Sequence, residues 1–148
     1  MNDKDAMTLA IKEALYAEAK GEVPVGAVVI INGEVIAKRH NERENLSDPT
    51  AHAELLALRD AAAKIGSWRL EDATLVVTLE PCPMCAGAAW SARLKKVVWG
   101  ASNPEAGALG SLYNLGSDPR FNHQFEITSG VCEAECADLL VNFFANRR

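Results

Sequence analysis

The sequence has no apolar run approaching the ~20 residues that a bilayer span requires, so no transmembrane helix is expected. It opens on Asn2, Asp3, Lys4 and Asp5 rather than on a basic-then-apolar leader, which makes a cytoplasmic location the default expectation. Basic residues are in deficit, with 15 Lys and Arg against 20 Asp and Glu and a net charge of −5. Proteins that hold nucleic acid by phosphate neutralisation usually carry a basic excess, so global charge attraction is disfavoured. A local basic patch that grips a few nucleotides is still compatible with this balance. Cysteine is scarce: there are four, two of them in Cys82-Pro83-Met84-Cys85. In a reducing compartment such a close pair is more often metal-binding or redox-active than a structural disulfide. No repeat, linker or low-complexity tract interrupts the chain.

What is present suits one compact domain spanning 1–148, burying roughly two thirds of its unfolded surface. Hydrophobic residues make up 49% and charged residues 24%, close to an average globular domain. Residues 5–20 read as a helix with Met7, Ile11 and Leu15 on one face and Asn or Asp caps ahead of it. The apolar run 25–31 reads as a buried strand, Asn32-Gly33 as a hairpin turn, and 34–38 as the returning strand. Residues 52–65 are helical, 73–79 a β-rich run, 86–93 helical and 97–99 a short strand. After a Gly-, Ser- and Asn-rich segment, 125–128 suggests a last strand and 133–146 a closing amphipathic helix. Helices alternating with strands after an opening hairpin predict an α/β sandwich with a mixed sheet.

Two short motifs each open a helix: His52-Ala53-Glu54 and Pro81-Cys82-Pro83-Met84-Cys85. Both follow a strand or loop, so they can meet at one end of a sheet. One imidazole and two thiolates suit zinc. Thiolates at a helix N-terminus gain from its exposed N–H groups, and Pro83 fits the first turn because it has no N–H to leave unpaired. Three protein ligands leave a tetrahedral zinc one corner for water, which distinguishes a catalytic site from a structural one. Zinc lowers the pKa of that water from about 15.7 towards ~7. Glu54, two residues past His52, reaches the water without ligating the metal, and can pass protons to a ring nitrogen and to departing ammonia. Taken singly, the Cys pair also fits a redox or structural-zinc role, His52 a satisfied polar residue and Glu54 a solvated charge. Their joint occurrence is far more specific, and it is the pairing described for zinc deaminases.

At these residues the sequence resembles the cytidine deaminase superfamily and, more closely, the bacterial tRNA adenosine deaminases. The likeness covers nearly the whole chain, including Val23-Pro24-Val25-Gly26-Ala27, the stretch from Asp48 to Glu54, and the stretch from Thr78 to Ala88. Guanine deaminases share a similar zinc half; the segments Gly107 to Leu112, Phe121-Asn122-His123 and Phe143-Phe144 look like the tRNA enzyme. The resemblance implies a three-layer α-β-α sandwich with a mixed five-stranded sheet, with one Zn2+ per subunit held by His52, Cys82 and Cys85. It implies Glu54 as proton shuttle, Asn41 hydrogen-bonding a flipped adenosine, and Ala53 in the substrate-binding set. Backbone groups around Glu80 and Pro81 would surround the amino group and the water. Asn122 and His123 would contact the anticodon backbone or neighbouring bases, and Phe144 would stack on an adjacent base. The implied substrate is the wobble adenosine of a tRNA anticodon stem-loop, of an arginine tRNA, and the implied assembly is a homodimer.

Several of these positions also have local readings. Asn41 fits a turn residue bonding its own backbone, and His123 a residue satisfying a loop carbonyl. At least one of Phe143 and Phe144 should be core, Cys132 and Cys136 read as buried small hydrophobes, and Trp68, Trp90 and Trp99 as packing or dimer contacts. Basic candidates for phosphate contact are Lys38, Arg39, Arg43, Arg93, Lys95, Lys96, Arg120, Arg147 and Arg148. Asn103 stands where the family usually carries Asp beside a ribose hydroxyl, which is expected to loosen discrimination between RNA and DNA; Glu105 stands where relatives often carry Lys. Two rival readings are a deaminase of free bases or nucleosides, and a structural zinc module built on Cys82, Cys85, Cys132 and Cys136.

Overall fold

The computed structural model describes residues 1–147; Arg148, one of the basic candidates, lies outside the described residues. The elements run α1 (Asp3–Ala19), β1 (Gly26–Ile31), β2 (Glu34–His40), α2 (Ala53–Ile65), β3 (Ala73–Leu79), α3 (Pro83–Ser91), β4 (Lys96–Ala101), β5 (Glu126–Thr128) and α4 (Glu133–Ala145). The hairpin forms where expected, because Asn32 and Gly33 both adopt positive φ (51° and 77°), the backbone of a two-residue turn matching strand twist. Asn2 caps α1 by accepting the Asp5 N–H at 2.7 Å. The third helix starts earlier than expected, at Pro83 rather than Ala86, since proline is tolerated in the first turn.

The sheet order is β2-β1-β3-β4-β5. β1 pairs antiparallel with β2 and β3, while β3, β4 and β5 run parallel, so the sheet is mixed and five-stranded as expected. Alternate residues of the central strands point to opposite faces. Ala27, Val29, Leu75, Val77, Val97 and Trp99 pack against alanines of α2 and α3, while Val28, Val76 and Val98 pack against α1 and Cys136 of α4. Three layers result, with α2 and α3 on one face and α1 and α4 on the other.

The first helix turns a different face inward from the one expected. Met7 is buried, but Leu15 is 47% exposed, and the inward side is Ala6, Met7, Ala10, Glu13, Ala14 and Ala17. The reason is close approach. A Cβ added to Gly26 would collide with the Ala10 carbonyl oxygen and lie 2.6 Å from the Ala14 nitrogen, so the helix backbone rests directly on β1. Large side chains would hold that backbone away, and the small-residue face is selected instead. Gly26→Ala is therefore expected to destabilise the fold by about 1–3 kcal/mol, lowering the melting temperature by roughly 2–4 °C per kcal/mol. Gly87, in α3, has open space at its Cβ position, so Gly87→Ala should be neutral or stabilising by up to about 1 kcal/mol. Thermal unfolding followed by circular dichroism separates the two; equal melting temperatures would contradict this packing.

Candidate active site

The two helix-opening motifs meet beyond the carboxyl end of β3. His52 is the N-cap residue of α2 and Cys82 the N-cap residue of α3, with Pro83 next to it. Both helices lie on one face of the sheet, and both pack through small residues: Ala53, Ala57 and Ala61 of α2, and Ala86 and Ala89 of α3. Their first turns therefore arrive side by side.

The donor atoms of His52, Cys82 and Cys85 all lie within 4.8 Å of one another. His52 Nδ1 is 3.7 Å from Cys82 Sγ and 3.5 Å from Cys85 Sγ. Zn–S bonds of ~2.3 Å and Zn–N bonds of ~2.05 Å at tetrahedral angles give an S···N edge of about 3.5–3.6 Å. The spacing and the one-imidazole, two-sulfur chemistry thus fit a zinc ion with one position left open. Among the described residues no such cluster includes Cys132 or Cys136, which removes the four-thiolate module. Cys136 is buried as expected, whereas Cys132 is only partly buried, in left-handed conformation at the start of α4.

Glu54 is buried and lines a cavity of about 150 Å³ together with Val23, Val25, Asn41, His52, Cys82 and Asn103, among others. Burial pushes its carboxyl up to about 7. The Cys82 thiol goes the other way, down to about 4, through its hydrogen bond with the Cys85 thiol and its contact with His52, while the Cys85 thiol is pushed up. A sulfur that already favours the thiolate form beside an imidazole is a ready metal donor. A cavity near 150 Å³ has room for one planar aromatic base; a sugar and its phosphates would lie outside it.

Of the other anticipated residues, Ala53, Glu80, Asn41 and Asn103 also line this cavity. Asn41 holds its surroundings with both ends of its side chain: Nδ2 donates to the Val23 carbonyl at 3.2 Å and Oδ1 accepts the Arg43 N–H at 3.1 Å. Asn103 Oδ1 accepts the Ala106 N–H at 3.1 Å. Of the backbone groups around Glu80 and Pro81, the Glu80 N–H donates to the Ala101 carbonyl and the Pro81 carbonyl accepts from the Ala108 N–H. Phe143 is core and Phe144 is 52% exposed on a neighbouring groove that shares Val23, Arg43, Leu79 and Asn103 with the cavity. Asn122 is exposed, and His123 Nε2 meets the Leu94 carbonyl at 2.9 Å, ahead of β4 and so at the opposite end of the sheet from the cavity. Its loop-carbonyl reading is the one realised within the chain. Trp99 is core, Trp90 packs on Phe121 and Trp68 is exposed. Arg43 and the apolar lining residues Val23, Val25 and Leu79 were not singled out from the sequence for the cavity itself; the Val23-Pro24-Val25 motif after α1 was the signal available.

Three metal donors, an adjoining buried carboxyl and a base-sized cavity on a mixed α/β sandwich define a zinc-dependent deaminase. The family described as the cytidine and deoxycytidylate deaminase zinc-binding region matches residues 1–101. A tRNA-specific adenosine deaminase from Bacillus subtilis (strain 168) is 56% identical over 99% of this chain and 91% of its own length. A solved structure from a study of A-to-I editing by tRNA:A34 deaminases superposes with a TM-score of 0.88 at 43% identity, covering 92% of this chain and 99% of that one. The guanine deaminase of Bacillus subtilis gives a TM-score of 0.67 at 39% identity over 69% of this chain and 66% of its own. The chain belongs to the tRNA-specific adenosine deaminase family.

Purified protein is expected to carry about one zinc per chain, and Cys85→Ala to lose most of it, because two donors bind far more weakly than three. Elemental analysis after dialysis measures this. Undiminished zinc in the variant would show that the metal sits elsewhere.

Proposed function

We propose that this protein hydrolyses adenosine to inosine and ammonia at the wobble position of a tRNA anticodon, the substrate being an arginine tRNA whose adenosine is flipped into the cavity. The observation that carries the chemistry is the buried Glu54 carboxyl beside His52, Cys82 and Cys85. The polynucleotide substrate is supported by the groove next to the cavity, about 910 Å³ in volume and bordered by Arg43, Asn103, Pro104 and Phe144. A free-base enzyme has no need of that room, whereas bases flanking the target can stack there.

Zinc, when bound, acts as a Lewis acid that makes water nucleophilic near neutral pH. The chain's own residues do the rest. His52, Cys82 and Cys85 hold the metal, and the apolar side chains of Val23, Val25 and Leu79 exclude bulk water from the ring. Glu54, with its proton affinity raised by burial, takes a proton from the attacking water and delivers it to the ring nitrogen beside the reacting carbon. It then takes the remaining proton from the newly added hydroxyl and passes it to the amine, so that the C–N bond breaks, ammonia leaves and the oxygen becomes the carbonyl of inosine. Asn41 is fixed at the cavity wall to hydrogen-bond the base. Asn103, its Oδ1 engaged by Ala106, offers its Nδ2 donor to the ribose.

The working unit is proposed to be a cytoplasmic homodimer, in which Asn122 and His123, distant from their own cavity, would contact RNA bound by the second copy. A shallow apolar groove between α2 and α3, with Leu55, Leu58, Leu70 and the exposed Trp68, supports a two-copy assembly. No described helix is long and apolar enough to cross a membrane.

Incubation with an anticodon stem-loop, followed by mass analysis of the released nucleosides, should yield inosine, while free adenosine, guanine and cytidine should react little. Turnover of guanine instead would replace this reading with the free-base one. Glu54→Gln is expected to lower kcat about 10²–10⁴-fold with zinc content unchanged; wild-type turnover in this variant would remove Glu54 from the mechanism. For Asn103→Asp, the ratio of kcat/KM on matched RNA and DNA hairpins should rise roughly 2–10-fold, the worth of one hydrogen bond. Equal ratios in the two proteins would show that Asn103 has no part in sugar discrimination.

A further inference from the structure

Glu80 is a charged residue with almost no exposure (1%) and no salt-bridge partner among the described residues. Its carboxylate is satisfied by one loop alone, the segment that follows β4. Oε1 accepts the Asn103 N–H at 3.1 Å and the Ser111 hydroxyl; Oε2 accepts the N–H groups of Leu109 at 3.1 Å and Ser111 at 2.9 Å. These four donors match the roughly four lone-pair positions a carboxylate offers. Gly107 lies flat against the same group, and a Cβ there would fall on the carboxylate. The adjoining Pro81 carbonyl accepts the Ala108 N–H at 2.9 Å. The loop is thus wound around the side chain.

The chain position of Glu80 makes this consequential. Leu79, the last residue of β3, precedes it, and the metal donor Cys82 follows two residues later. The loop it holds supplies Asn103, which borders both the base cavity and the neighbouring groove, together with Pro104, Glu105 and Ala106 of that groove. One short stretch of backbone therefore fixes the metal donors on one side and the wall facing the nucleotide on the other.

We infer that Glu80 is a positioning residue: its carboxylate locks the 103–111 loop in register with the Cys82–Cys85 turn, and so sets the grip on the nucleotide without touching the reacting atoms. Its kinetic consequence rests on the adenosine deaminase reading; its structural consequence does not. Glu80→Gln keeps the shape but turns an acceptor into a donor that faces N–H groups, and Ser111→Ala removes one contact at lower risk to folding. Both variants and the wild type would be compared on the anticodon stem-loop, with kcat expressed per bound zinc. KM should rise about tenfold or more in Glu80→Gln and less in Ser111→Ala, as expected for lost charged hydrogen bonds, with kcat per zinc within about threefold. A smaller folded fraction would lower apparent kcat and leave KM alone. A variant KM equal to wild type, or a loss confined to kcat, overturns the assignment. Hydrogen exchange reads the same lock without turnover: amides 103, 109 and 111 should exchange about tenfold or more faster in Glu80→Gln while α2 and α3 keep their protection. Unchanged exchange at those three amides overturns the assignment even if the stem-loop proves not to be the substrate.

Discussion

The site depends on two helix N-termini arriving at one point within the tolerance of a metal bond. Ligand geometry is fixed to about ±0.2 Å, far tighter than most helix packing needs to be. The chain meets this by covering the sheet with alanine. Ala53, Ala57 and Ala61 of α2 and Ala86 and Ala89 of α3 let both helices sit low on the same face, with few long side chains whose rotamers could vary their height. On the other face, α1 is seated the same way against Gly26. Bulk is concentrated in the central strands, where Val28, Val29, Leu75, Val76, Val77, Val97 and Val98 are fully buried. A rigid valine-rich sheet carrying close-set small-residue helices is what turns two sequence motifs 30 residues apart into donors 3.5–3.7 Å apart.

Two buried carboxyls line the cavity and a third, Glu22, lies beside a neighbouring groove, and their surroundings differ. Glu54 lines the cavity, and burial drives its pKa up to about 7, which suits the proton transfers proposed for it. Glu80 is as buried, and burial alone would raise it too. Donation by the Ser111 hydroxyl and by the N–H groups of Ser111, Asn103 and Leu109 outweighs that cost and leaves it below the ordinary value. Its carboxylate form is the one these donors favour. Glu22 follows the structural pattern, its two oxygens accepting the Glu44 and Asn45 N–H groups at 3.0 and 2.8 Å. One clasp steadies the loop after β2, which leads to His52, and the other the loop after β4.

Much of this was legible in the sequence, because the signals involved are local. Asn32-Gly33 needs only its own backbone to make a hairpin, the 73–79 run is a strand by composition, and the donor motifs announce themselves through residue type and spacing. The inward face of α1 was not legible. Met7, Ile11 and Leu15 form the obvious apolar stripe, and the choice of the alanine side depends on a glycine in another element. The clasps were hidden for the same reason. Glu22 reaches 22 residues ahead to Glu44, and Glu80 reaches 31 residues ahead to Ser111, and no periodicity encodes such a pairing. A trace was there: a carboxylate wedged between a buried strand end and Pro81 must find donors, and Gly107 marks a place where something comes close.

The acidic balance of the chain also becomes intelligible. A deficit of five charges weighs against binding driven by a broad basic surface. Yet Arg43 borders the base cavity and the groove beside Phe144, and also a smaller groove that it shares with Arg147. On the proposed reading, this places positive charge beside the opening through which a nucleotide would enter. If the substrate is an anticodon loop, as proposed, fit around one base and its neighbours would have to carry more of the affinity than overall charge does. That in turn explains why so much of its buried polar chemistry, at Glu22, Asn41 and Glu80, goes into holding loops still.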